Sequence, residues 1–220
     1  MLQVSMGISD YKEVWDLQKH WVRAVAERRA EEESLILVEH PETVTVGRKH
    51  KGFLPADAFE IERGGEATLH NPGQLVAYPI LRLDEGERDL HAYLRKLEEV
   101  LIQTLRELGL ASDRKSGATG VWVDAGRRKI ASIGVAVSHW VTYHGVALNV
   151  CNDLSAFQRI NPCGFEWTVM TSMERELARK VRRVEVEPIF CRVFEGVFTR
   201  QLHCRKSLDL LSSPDEPANG

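Results

Sequence analysis

The sequence carries no surplus of positive charge. Its 220 residues hold 29 Lys and Arg against 32 Asp and Glu, a formal net charge of -3. A general nucleic-acid binder needs a strong basic excess, so this balance argues against one. Cysteine is scarce: there are four, at Cys151, Cys163, Cys191 and Cys204. No two stand at C-x-x-C spacing, so neither a zinc knuckle nor a thioredoxin-type motif is present. No His, Cys, Asp or Glu spacing suggests a bound metal. The pattern is not that of a disulfide scaffold, which points to a reducing, cytoplasmic setting. The N-terminus lacks a basic stretch followed by an apolar one, so no signal peptide is expected. No apolar run reaches the roughly 20 residues that a spanning helix needs. The glycines form neither a P-loop nor a dinucleotide fingerprint, and no internal repeat is visible.

What is present suits a packed α/β domain. Hydrophobic residues make up 43% of the chain. Residues 2 to 8 alternate weakly, as a first strand does. Asp10 and Glu13 fit a capping box, and Val14, Trp15, Leu17, Trp21, Val22 and Val25 recur at helical spacing, predicting a helix to about Glu31. Ser34 to Glu39 and Thr43 to Val46 read as strands, with His40-Pro41 between them. Asn71-Pro72-Gly73-Gln74 reads as a type II turn leading into a strand that runs to Leu81. Asp89 caps a long helix whose leucine stripe ends at Gly109. Lys115 to Gly120 is expected as a loop, Val121 to Val123 as a strand, and Ile130 to Val137 and Val141 to Val150 as two more, joined near His139-Trp140. Thr171 and Glu174 suggest a helix to about Lys180, Val184 to Val186 a short strand, and Pro188 the start of a final helix reaching Leu202. Cys191 and Cys204 fall in that helical region and are expected to be inert. A single domain is expected over residues 1–211, with a disordered tail over 212–220.

The residue that invites a chemical reading is Cys163, in Asn161-Pro162-Cys163-Gly164. Pro162 fixes the backbone on one side and Gly164 frees it on the other, which presents the sulfur on a tight bend. A buried, unreactive thiol is the competing reading. Lys129 opens the largely buried strand that follows Arg127-Arg128. It is either an ordinary strand-edge lysine or one whose lost hydration fits it for proton transfer, since desolvation lowers a lysine pKa. His70, just before the turn, and His144, in Thr142-Tyr143-His144-Gly145, are each either structural or functional. The basic run Gly47-Arg48-Lys49-His50-Lys51 is either a solvated loop or a patch that meets an acidic partner.

Three segments together are more specific than any one of them: ERGGEATLHNPGQLVAYPI, RKIASIGVAVSHWVTYHGVALNV and NPCGF. In this order they closely resemble the lipoyl(octanoyl) transferase family, over most of the chain. The resemblance implies a mixed sheet flanked by helices, as in biotin and lipoate protein ligases. It implies transfer of an octanoyl group from octanoyl-acyl carrier protein to a lysine of lipoyl domains, those of 2-oxoacid dehydrogenase complexes and the glycine cleavage H protein, in lipoate biosynthesis. No cofactor, nucleic acid or membrane enters that reaction. Cys163 is implied as the acyl-carrying nucleophile and Lys129 as its acid/base partner. The implied acyl channel comprises Arg63, Gly64, Gly65, Glu66, Ala67, Thr68, Leu69 and His70, then Ser132, Ile133 and Gly134, then His144, Gly145, Val146 and Ala147. The chain departs from the family in reading Leu69-His70-Asn71-Pro72 where a tyrosine and a His-Gly-Pro are usual, and in Phe165 where leucine is usual.

The implied chemistry is self-consistent. Exchange of one thioester for another is nearly thermoneutral, and the final amide lies downhill, so ATP is not needed. A free thiol titrates at about 8.5, and a nearby ammonium favours the thiolate. Three other readings share these residues: an ATP-dependent lipoate or biotin ligase of the same fold, a non-catalytic protein-binding domain, and another cysteine acyltransferase or amidotransferase acting on a different carrier. Arg48 to Lys51, Arg127-Arg128 and Arg179 to Arg183 are candidate docking charges for acidic protein substrates, whose attraction salt would weaken.

Overall fold

The computed structural model describes residues 1–27, 33–50, 55–160 and 166–204. Cys163 and its bend, Phe165, Lys51, the far end of the first predicted helix and the tail at 212–220 lie outside these residues. In chain order the strands are β1 (Leu2–Ile8), β2 (Ser34–Glu39), β3 (Thr43–Val46), β4 (Phe59–Glu60), β5 (Ala67–His70), β6 (Gln74–Ile80), β7 (Asp113–Lys115), β8 (Ala118–Val123), β9 (Arg128–Ser138), β10 (Val141–Asn149) and β11 (His203–Cys204). The helices are α1 (Tyr11–Ala26), α2 (Leu90–Glu107), α3 (Met173–Leu177) and α4 (Arg183–Phe198).

The main sheet has eight strands in the order β11-β1-β2-β6-β10-β9-β8-β7. It is mixed: β1 runs parallel to β2 and β11, while β2–β6, β6–β10 and β10–β9 are antiparallel. Period-two alternation divides its side chains between two cores. Ile36, Val38, Val76, Tyr78 and Ile80 face α1 with Val14, Val22 and Val25. Leu35, Leu37, Leu75, Ala77 and Leu81 face α2 and α4, against Leu97, Leu101, Phe190 and Phe194. A second sheet, β4-β3-β5, packs Val44, Val46, Ala67 and Leu69 on Phe157, Ile160 and Met170.

Most predicted elements form, with local corrections. Asp10 caps α1 by accepting from Glu13 N, and Asp89 caps α2 by accepting from the His91 and Ala92 N–H groups. The stretch expected as a loop at 115–120 is instead the tight hairpin of β7 and β8, closed by Gly117 at φ 74°. Val184 to Val186 is helical, not a strand. Val186, Phe190 and Phe194 bury one above the other at i, i+4 and i+8, and this packing outweighs the β preference of the valines. Pro188 lies inside α4, and Val184, whose carbonyl its ring nitrogen cannot serve, is 67% exposed and open to water. The helix stops at Phe198, so Cys204 belongs to β11. The helix expected from Thr171 to Lys180 is the shorter α3, capped by Ser172.

Candidate active site

The site is built where β5, β6, β9 and β10 converge beneath the start of α1. Asn71-Pro72-Gly73-Gln74 is the expected type II turn, with Gly73 at φ 89° and Gln74 N donating to Asn71 O at 3.2 Å. The turn places His70 and Gln74 beside each other, and His70 Nδ1 lies 2.7 Å from Gln74 Oε1. Gln74 Nε2 donates to the Leu69 carbonyl, which only accepts, so Gln74 Oε1 accepts and His70 Nδ1 carries the proton. His70 Nε2 is therefore an acceptor. Burial holds the His70 pKa down to about 3, so the ring is neutral. Behind it, His40 Nδ1 donates to Ser9 O at 2.8 Å and Nε2 accepts from the Tyr78 hydroxyl at 2.9 Å. Tyr11 stacks on His70 and meets His40 edge-on.

A pocket of roughly 440 Å³, counting its open mouth, lies in front of this cluster. Of the predicted channel, Arg63, Gly65, Thr68, His70, Ser132, Ile133, Gly134, His144, Gly145, Val146 and Ala147 line it. Gly64 does not line it but ties it together, donating its N–H to Val135 O at 2.9 Å. Ala67 and Leu69 face the other way, into the core beneath the small sheet, because β5 alternates. Glu66 is likewise not in the lining. Tyr11 and Tyr78 line the pocket as well, outside the channel that the sequence resemblance implies. The one signal for Tyr78 was a polar-tipped aromatic inside the apolar run Gln74–Ile80, and for Tyr11 there was none beyond its place after the Asp10 cap.

The pocket's electrostatics are set by neutral rings and one cation. The Arg63 guanidinium is buried, with Nη2 donating to Thr45 O and Oγ1 and Nη1 to Gly64 O. His144 is 2% exposed and sits mid-strand at φ 56°, a left-handed conformation unusual for a non-glycine residue. Its backbone N–H is held by Gln18 Oε1 at 2.8 Å. Its Nε2 lies 3.5 Å from Glu62 Oε2, an electrostatic contact too long to count as a firm hydrogen bond. Burial lowers the His144 pKa against the opposing pull of Glu62. Thr68 Oγ1, Ser132 Oγ and both ring nitrogens of His144 are buried without a hydrogen-bond partner among the described residues, so the pocket offers donors and acceptors as well as apolar surface.

Lys129 is the second residue of β9, paired with Trp122 of β8, and is 1% exposed. Its side chain packs against Gly120, at φ 125°, where an added Cβ would collide with the Ala131 carbonyl and would lie 2.8 Å from Lys129 Cε, so the backbone contact and the positive φ call for glycine beside the lysine. Lys129 O accepts from Thr171 N at 2.9 Å, and Lys129 bridges to Met170. Both partners belong to the chain segment that follows Cys163 in sequence. Of the other thiols, Cys191 is buried and pushed up to about 12 by that burial, while Cys151 is raised in the same direction. Among the described residues, no three His, Cys, Asp or Glu side chains gather as a metal site, and no helix is long and apolar enough to cross a membrane.

Residues 10–195 match the family model of the lipoyl protein ligase A/B catalytic domain. An octanoyltransferase from Synechocystis is 43% identical over 203 residues, covering 89% of this chain and 88% of that protein. The chain belongs to the octanoyltransferase family. That family's reaction is acyl transfer of an octanoyl group in lipoate metabolism, in agreement with the three-segment resemblance. The fold likeness extends beyond octanoyltransferases. A bi-partite lipoate protein ligase from Thermoplasma acidophilum superposes with a TM-score of 0.69 at 16% identity, covering 93% of this chain and 86% of that one. The biotin protein ligase of Aquifex aeolicus does so at 0.54 and 11%, covering 90% and 70%. At such identities the likeness concerns the fold alone, which is the mixed sheet with flanking helices expected from the sequence.

Proposed function

We propose that this octanoyltransferase works through a thioester on Cys163, with Lys129 as acid and base. The observation that carries the reading is Lys129 itself: a buried lysine packed against Gly120, whose backbone is bonded to the segment that follows Cys163 in sequence. The Cys163 thiolate attacks the carbonyl carbon of an octanoyl thioester. The carbon–sulfur bond to the carrier breaks, and Lys129 protonates the departing carrier thiol. A substrate lysine amine then attacks the enzyme thioester and an amide bond forms. The bond to Cys163 breaks, and the amine's proton passes through Lys129. The acyl chain lies in the pocket lined by Ile133, Val146 and Ala147, under His70 and Tyr11.

The donor is octanoyl-acyl carrier protein and the acceptor a lipoyl domain, including that of the glycine cleavage H protein. A lipoyl-domain acceptor is supported by the Thermoplasma ligase, whose structure was described with its E2 lipoyl domain. The fold is also that of ligases, one of them described with bound ATP, so the test excludes ATP. Incubation with octanoyl-carrier protein alone should add one octanoyl mass to the protein, labile to hydroxylamine and mapped to Cys163. Cys163→Ala and Lys129→Ala should each abolish transfer. Full transfer by Cys163→Ala, or an adduct on Cys151, Cys191 or Cys204, overturns the mechanism.

A further inference from the structure

Asn149 closes β10 and is fully buried, outside the lining of the pocket between Arg63, His70 and His144. Its amide makes three hydrogen bonds among the described residues. Nδ2 donates to Thr171 O at 2.9 Å. Oδ1 accepts from Gln74 Nε2 at 2.9 Å and from Asn152 Nδ2 at 3.2 Å. The orientation is fixed from both ends. Thr171 O can only accept, so the Asn149 nitrogen faces it, and Leu69 O can only accept, so the Gln74 nitrogen faces Leu69 and Asn149 together. One continuous path results: His70 to Gln74, Gln74 to Asn149, Asn149 to Thr171, and Thr171 N to Lys129 O.

Each member of the path lies on a different piece of chain. His70 ends β5, Gln74 opens β6, Asn149 ends β10, Thr171 lies between Met170 and α3, and Lys129 is near the start of β9. The Asn149 side chain bonds both to the pocket turn and to the segment next to Lys129. Remove its amide and two constraints go together. Gln74 Nε2 keeps only Leu69 O, so its hold on the His70 tautomer loosens. Thr171 O loses its donor, so the segment that grips the Lys129 backbone can shift relative to the pocket.

We propose that Asn149 is a positioning residue for octanoyl transfer, setting the registration of Lys129 against the pocket histidine. It touches no reacting atom. This rests on Lys129 being the acid/base group, and the experiment separates the two claims. Reacting groups misplaced by about 1 Å cost on the order of 100-fold in rate, so Asn149→Ala should lower kcat by about that factor with KM changed less than about twofold. Asn149→Asp keeps the acceptor for Gln74 and Asn152 but sets a second oxygen against Thr171 O. It should lose kcat similarly, and it serves as the deciding variant if thermal unfolding shows that Asn149→Ala does not fold.

A second readout distinguishes positioning from mere stability. Alkylation of Cys163 by iodoacetamide, followed as peptide mass across pH, reports how strongly a nearby ammonium favours the thiolate. Lys129→Ala should move the inflection to higher pH, and both Asn149 variants should move it in the same direction. If Lys129→Ala leaves the inflection in place, the reading of Lys129 falls and this inference with it. If Lys129→Ala moves it while folded Asn149 variants do not, the inference alone is overturned, even where kcat has dropped.

Discussion

His40 and His70 are held as neutral rings in one tautomer each, His40 by the Ser9 carbonyl and His70 by the Gln74 amide, whose oxygen is turned toward it by the Leu69 carbonyl. Burial is the leading cause in both, bringing His40 to a pKa of about 4 and His70 to about 3. An unfolded chain protonates these rings near 6.5. Between that value and the folded ones the unfolded state binds more protons, so stability rises with pH there. The contribution is complete above about pH 6.5 and drains away as pH falls toward 4. Each ring can add a slope of up to about 1.4 kcal/mol per pH unit in that window. Urea unfolding at about pH 7, 6 and 5 should therefore show a falling midpoint with a constant m value. His40→Gln, which has no such proton to gain, should make the fall shallower. A midpoint that stays flat from pH 7 to 5 would show that these rings are not held neutral by the fold. At this scale, Lys129, His70 and His144 were legible in the sequence because they carry chemistry-bearing side chains inside recognisable segments. Gln74, Asn149, Tyr11 and Tyr78 were not legible as partners, since a hydrogen bond between residues as distant as Gln74 and Asn149 leaves no local pattern.

Strand β10 is the element on which the site depends, because it pairs with both β6 and β9 and ends in Asn149. Gly145 is where β10 passes nearest to β6: an added Cβ would collide with the Ala77 carbonyl and would reach within 2.8 Å of Pro79 Cδ. Backbone cannot yield as a flexible side chain can, so Gly145→Ala should destabilise the protein by about 1–3 kcal/mol, the range for overpacking. Gly86→Ala is the matched control, since nothing lies within 4 Å of its added Cβ, and it should stay within about 0.5 kcal/mol. Equal urea midpoints for the two variants would show that the close approach of the strands is not required. Elements were legible where one periodicity ran long enough, as in α1 and α2, whose apolar residues recur every three or four positions. In short segments the choice falls to tertiary packing instead. Val184 to Val186 is β-prone in isolation, but in the fold it leads a helix into the core between α2 and the sheet. The β9–β10 connection is a two-residue turn with His139 at φ 51° and Trp140 at 60°, without the Asn-Gly that would have announced it.

On the scale of the whole molecule, the fold class was readable through the three segments, while the strand order was not. No local feature announces that β6 inserts between β2 and β10, or that β3 leaves the main sheet to pair with β4 and β5. The same assembly redistributes the charges that the sequence offered for docking. Arg127 and Arg128 pair with Asp124, and Arg128 also with Glu176. Arg179 and Arg182 pair with Glu185, and Arg183 with Glu39 and Glu187. Arg48 and Lys49 differ: both are exposed, and neither forms an ion pair among the described residues. Their backbone N–H groups donate to Arg63 O and Gly65 O, which fastens these two cations to the loop that walls the pocket. Positive charge at the pocket's edge would attract the proposed acidic carrier at a distance of about a Debye length, roughly 8–10 Å in physiological salt. kcat/KM with octanoyl-carrier protein should therefore fall steadily as sodium chloride rises from about 20 to about 300 mM. In the Arg48→Glu/Lys49→Glu double variant, kcat/KM should drop on the order of tenfold at low salt with kcat little changed, and the salt dependence should flatten. The substituted side chains lie outside the hydrogen-bonded machinery, so a loss confined to kcat would contradict a docking role. A salt slope equal to that of the unsubstituted protein would place the attraction elsewhere on the surface.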